Sequence, residues 1–159
     1  MLRSSTTALI LAVLLPYPVE AAVGCNLGQA VLRPKYAPEN FVIIAQRKDA
    51  DLSFHLTVRR TGETFPFKAD VDERSQTGTI TSLAYASGRD PAIKTTFSLA
   101  DRNGLATTAS GEVGSVAFLD LARGFIEFRS RTGQSPSPYA NPPSGLWLVT
   151  ECQALPTVN

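Results

Sequence analysis

His55 is the only histidine in the 159 residues, and it stands in the run Ser53-Phe54-His55-Leu56-Thr57-Val58-Arg59. An imidazole held between a hydroxyl and a carboxylate is the working core of a Ser-His-Asp hydrolase. Ser53 shares a face with His55 if the segment is extended, because side chains alternate along a strand. The carboxylate would have to come from elsewhere in the chain, and no Gly-x-Ser-x-Gly elbow presents a nucleophile. The ordinary reading is a solvated histidine on a polar face, since a histidine alone meets none of the geometric demands of a site. One histidine also excludes a metal centre built from several histidines of one chain.

The acidic residues offer a second chemistry. Asp49 and Asp51 fall in an expected turn, and Asp70, Asp72 and Glu73 fall at the end of an expected strand. On an extended chain Asp70 and Asp72 point to one face, as glycosidase or calcium chemistry would use them. Neither group has the glycine and twelfth-position glutamate of a calcium loop. Acids at a strand end ordinarily keep a surface soluble. His55 and the Asp70/Asp72 pair are therefore weak catalytic candidates, and no metal or cofactor is implied.

Tyr36, Tyr85, Tyr139 and Trp147 could line a ligand pocket, because pockets combine apolar walls with a few polar tips. At strand positions the same residues are simply core. Tyr139 differs, standing between Pro138 and Asn141 where no core pattern explains it. Tyr139 and Asn141 are the candidate contact residues of a surface loop.

Cys25 and Cys152 are the only cysteines. Met1-Leu2-Arg3 gives a positive start, Ala8 to Leu15 is an unbroken apolar run, and after Pro16 and Pro18 the small or modest residues Val19-Glu20-Ala21 stand where a signal peptidase reads. That order is the secretory-signal pattern, with cleavage expected after Ala21. The run is far shorter than the ~20 residues that span a bilayer. Residues 1–21 are thus expected to be a signal peptide, and 22–159 a single domain, secreted or periplasmic. An even pair of cysteines in an exported chain reads as a disulfide. Ala22-Val23-Gly24-Cys25 also resembles a bacterial lipoprotein signal, but Ala22 stands where leucine is usual. Lipidation of Cys25 would leave Cys152 a free thiol, so the disulfide is preferred to a lipid anchor.

The formal charge is +1, and removing Arg3 and Glu20 with the leader leaves it unchanged. Both signs are scattered, with no run of five like charges. This gives no electrostatic footprint for nucleic acid or an anionic membrane. The expected partner is a protein or a small ligand.

These residues must be positioned by strands. Leu52, Phe54, Leu56 and Val58 alternate with Ser53, His55, Thr57 and Arg59, the period-2 signature of a half-buried strand. Phe65, Phe67, Ala69 and Val71 repeat it after the turn Thr61-Gly62-Glu63, and Ile93, Thr95, Phe97 and Leu99 repeat it again. Phe41 to Ala45 is continuously apolar, which suits a strand covered on both faces or a short buried helix. Ile80 and Leu83 are out of phase, which a bulge near Ser82 would reconcile. Asn103-Gly104 predicts a tight type I′ hairpin turn. Val116–Leu119 leads to Asp120–Gly124, which reads as a strand or a helical turn. Phe125–Phe128 and Leu146–Val149 read as the last two strands. Ser130 to Gly145, with Pro136, Pro138, Pro142 and Pro143, is expected to be a surface loop.

About eight short strands with little or no helix predict an all-β antiparallel sandwich or closed barrel. The functional expectation is an exported, non-enzymatic binding or interaction module, with a secreted hydrolase as the alternative.

Overall fold

Alternating apolar and polar residues become a closed ring of eight antiparallel strands, each paired with its sequence neighbours. The structure is a computed structural model that describes residues 23–83, 93–133 and 140–154. The strands are β1 (Ala30–Pro34), β2 (Phe41–Lys48), β3 (Asp51–Val58), β4 (Thr64–Asp70), β5 (Thr77–Ser82), β6 (Lys94–Ala100), β7 (Ser115–Phe118) and β8 (Gly145–Cys152). One helix, α1 (Leu121–Arg131), lies between β7 and β8, and a short 3-10 turn, Leu27–Gln29, precedes β1. β8 returns to pair with β1, so the sheet closes as a barrel with no free edge. The signal segment 1–21, Tyr85, Pro136, Pro138 and Tyr139 lie outside the described residues.

The three cleanest alternating segments form as read. Leu52, Phe54, Leu56 and Val58 of β3 face the interior beside Phe65, Phe67 and Ala69 of β4. Thr95, Phe97 and Leu99 of β6 also turn inward, with Ile93 buried just ahead of the strand. Gly78 of β5 sits opposite Phe97, and a Cβ there would fall 2.4 Å from the ring edge. The missing side chain makes room for the aromatic one.

Several expectations are corrected. Phe41–Ala45 is a strand, but only Phe41, Ile43 and Ala45 are buried, while Val42 and Ile44 are half-buried on the outer face. Its continuous apolarity therefore does not mean cover on both sides. Near Ser82 there is no bulge: Ile80 and Ser82 both point inward in regular register, and Leu83 simply leaves the strand. The irregularity lies instead in β1, between Val31 and Leu32 where it pairs with β8. Asn103-Gly104 does turn the chain, but only Gly104 has positive φ, at 79°. The Asp101 carboxylate accepts the Asn103 and Leu105 amides, so an aspartate-anchored turn replaces the type I′ form.

The largest correction is Phe125–Phe128, which is not a strand but the middle of α1. Leu121, Phe125 and Phe128 recur at four- and three-residue spacing, so they share one helical face. That face closes one end of the barrel. Phe125 lies 4.8 Å from Phe65 and 6.3 Å from Phe67, ring centre to ring centre. Gly124 allows the close approach, since a Cβ there would stand 3.0 Å from Ile93 Cγ2. Ser130 and Arg131 belong to the helix, so the loop after it begins later than its composition suggested.

The opposite end is closed by fully buried Leu27, Ala109 and Val113. Cys25 and Val113 exchange both backbone hydrogen bonds, at 3.0 and 2.9 Å. A Cys25–Cys152 disulfide, with Cα atoms 5.9 Å apart, ties this closure to the last strand.

Candidate functional site

β3 places His55 on the outer wall of the barrel, half-buried between Ile44 of β2 and Pro66 of β4. Ser53 Oγ lies 3.4 Å from His55 Nε2, as same-face spacing predicts. Among the described residues no carboxylate hydrogen-bonds the other ring nitrogen. Thr57, next along the same face, pairs its hydroxyl with Thr64 at 3.1 Å. Thr57 is thus engaged in a cross-strand contact typical of a sheet face, while Ser53 and His55 meet along one strand.

The acidic pairs are built into turns. Asp70 ends β4 opposite Thr79, and the alternation that would keep Asp72 beside it stops there. Asp72 Oδ1 accepts the Arg74 amide at 2.8 Å and its carbonyl accepts the Ser75 amide at 2.9 Å, which folds the β4–β5 connection. Glu73 lies 3.7 Å from Arg47. Asp49 adopts φ 55° in the two-residue β2–β3 turn, a left-handed conformation that aspartate tolerates. Asp51 reaches Lys68 at 3.9 Å. Among the described residues, no three His, Cys, Asp or Glu side chains gather to hold a metal ion.

The aromatic candidates separate. Trp147 is fully buried in the barrel interior, where its indole N–H donates to the Pro143 carbonyl at 3.1 Å. Tyr36 is 77% exposed, with Lys35 Nζ 5.7 Å from its ring. Asn141 is half-buried, and its Oδ1 has no hydrogen-bond partner among the described residues.

Sequence reasoning missed one polar contact altogether. Arg129, on α1, is 5% exposed. Its Nη2 donates to Glu63 Oε2 at 2.9 Å and to the Ala140 carbonyl at 3.3 Å, and the guanidinium lies 5.9 Å from the Phe65 ring. The contact pins the helical cap to the β3–β4 turn and to the strap leading into β8. Reading Phe125–Phe128 as a strand hid it. The available signal was the spacing of Leu121, Phe125 and Phe128, which places Arg129 beside the buried face of a helix.

The Arg129 hydrogen bond and charge hold the Glu63 carboxyl below its usual range, against the opposing effect of burial. A carboxylate depressed in the folded state adds stability above its unfolded pKa and loses it as pH falls through the folded value. Glu63→Gln is therefore expected to be less stable than wild type at neutral pH. The Glu63 side chain keeps 37% of its exposure, so the loss is set at about 1–2 kcal/mol, below the full value of a buried charged hydrogen bond. Urea melts across the acidic range should show the two proteins converging as Glu63 protonates. A difference independent of pH would mean that the ion pair does not hold the cap.

No protein-family model, curated protein or solved structure matches this chain. The functional reading rests on the chain's own residues.

Proposed function

We propose that the chain is an exported, non-enzymatic interaction module that engages a protein through its outer surface. The observation that carries this reading is the filled interior. An eight-stranded barrel is just wide enough either to hold one small ligand or to be packed by its own side chains. Here Phe54, Phe67, Phe97, Phe118 and Trp147 are all fully buried inside. Tilted and edge-to-face contacts at 5.6–6.3 Å between ring centres link Phe54, Phe97 and Phe118. With α1 over one end and Leu27, Ala109 and Val113 in the other, recognition is left to walls, rims and turns.

Export is supported by the leader pattern in residues 1–21 and by the disulfide, a bond kept in oxidising compartments. The test begins with the intact mass of protein recovered from the producing cells. A chain starting at Ala22 and lighter than its reduced form by two hydrogens is expected. Gel filtration of the exported fraction should place it in a complex larger than the lone chain, with His55→Ala eluting identically. Recovery with the leader intact, or a diacylglyceryl mass on Cys25, would overturn the export scheme. Elution as a lone chain, with a hydrolytic activity abolished by His55→Ala, would establish the enzyme instead.

A further inference from the structure

The near-neutral charge of the chain conceals a separation along the barrel axis. At the helix-capped end, the β1–β2 loop carries Lys35 and Glu39, and the β3–β4 turn carries Arg59, Arg60 and Glu63. Lys94 opens β6, and α1 with its N-terminal neighbour adds Asp120, Arg123, Glu127, Arg129 and Arg131. Among the described residues this end has seven basic and four acidic side chains, a net +3. The rest of the described barrel, toward the disulfide, has six basic and eight acidic side chains, a net −2.

Five of the seven large apolar side chains exposed among the described residues lie at this end, while Val23 and Leu105 lie at the other. Tyr36 (77%), Leu119 (62%), Leu83 (49%), Ile126 (45%) and Leu146 (39%) all sit at the helix-capped end. Lys35 donates its backbone N–H to Leu146, which brings the Tyr36 loop beside the start of β8. Leu119 donates to Thr96 on the neighbouring rim, and Ile126 stands on the outer face of the cap. Arginine and tyrosine are enriched at protein interfaces, and the exposed apolar side chains beside them add apolar area that a partner could bury.

We propose that this end is a docking face for a protein that presents an acidic surface around an apolar anchor. The proposal rests on the interaction-module reading and adds the face and the partner chemistry. Arg59 and Arg131 are exposed on the β3–β4 turn and at the end of α1, the two elements that the Arg129–Glu63 contact joins, and guanidinium forks match carboxylates in a way that a diffuse charge does not need. Glu39 and Asp120 lie within the face, which favours a partner with matched charges of both signs over a uniformly anionic bilayer. Val23, Cys25 and Cys152 all lie at the opposite end, so the chain's first and last described residues leave the docking face clear.

A photo-crosslinking amino acid placed at Ile126, at Leu119, at Thr79 on the barrel wall, or at Leu105 on the opposite end tests this in the producing cells. Adducts from Ile126 and Leu119, to one protein through an acidic segment, are expected. The recombinant partner should then bind the wild-type chain in a salt-sensitive manner. It should bind Arg59→Glu/Arg131→Glu, and separately Ile126→Ser, at least about tenfold more weakly. Unchanged thermal unfolding of these surface variants shows that the fold is retained. Adducts only from Thr79 or Leu105 would overturn the face while leaving the interaction module intact. Adducts to lipid or to a second copy of the chain would overturn the partner class, as would salt-independent binding unaffected by the arginine reversals. Adducts from no position would overturn both readings.

Discussion

Phe118→Ala is expected to destabilise the barrel by about 3–5 kcal/mol, the range for truncating a fully buried phenylalanine. Phe118 has no exposed surface and is the hub of the interior. Its ring lies 5.9 Å from that of Trp147, 6.0 Å from Phe97 and 6.3 Å from Phe54. Aromatic pairs of this kind add stability beyond the area they bury. Truncation leaves a void bounded by a closed ring of backbone hydrogen bonds. Such a wall collapses less readily than a helix can slide, so the upper part of the range is expected. Urea unfolding should show a lower midpoint with the slope unchanged, because the folded state remains compact. A loss below about 1 kcal/mol would mean that the interior is loosely packed, and the argument that recognition is confined to the surface would lose its basis.

How much of this interior was legible depended on whether one local signal sufficed. β3, β4 and β6 alternate cleanly because one face meets the core and the other meets solvent, and that contrast is written residue by residue. β2 also has one buried face, yet Val42 and Ile44 are apolar on the outer wall and mask the period. A closed barrel was one of the two expected architectures, but local signals could not choose it over a sandwich. Closure depends on β8 returning to β1 across more than a hundred residues, and the register there includes an irregularity beside Val31. The short helix was lost for a related reason. Phe125-Ile126-Glu127-Phe128 carries a strand-like composition, while its placement is decided by Phe65 and Phe67 of a distant strand. Tertiary packing overrode local propensity.

The candidate site was less legible than the fold. Ser53 and His55 share a face as spacing predicts, because period 2 is a local property. Asp70 and Asp72 do not continue one strand, because the Asp72 side chain folds a turn around itself. The charge separation was invisible for a different reason. Lys35, the Arg59-Arg60 pair and Lys94 are far apart in sequence and reach one end only because antiparallel strands bring alternate connections together. A chain with no run of like charges can therefore still present a polarised surface.

Removal of the disulfide by Cys25→Ser/Cys152→Ser is expected to cost about 2–5 kcal/mol, the range for loss of a native bridge. The bridge spans 127 positions, so in the chain-entropy account it restrains nearly all of the described unfolded chain. Released from that restraint, the unfolded ensemble expands, and the urea slope should rise as the midpoint falls. A second effect is local. Cys25 exchanges hydrogen bonds with Val113, Val23 donates to the Val149 carbonyl, and Leu27 plugs the same end. Without the bridge these amides should exchange hydrogen faster than those of Phe54 and Phe67, which open with global unfolding. The opposite end, with Phe125 and Phe128 over Phe65, should stay protected until global unfolding. If every amide loses the same free energy, the bridge acts through the unfolded chain alone. If only the Cys25–Val113 region changes and the midpoint is unmoved, it is a local clasp. The geometry predicts both effects together, because the bridge that spans the sequence also pins the barrel closure.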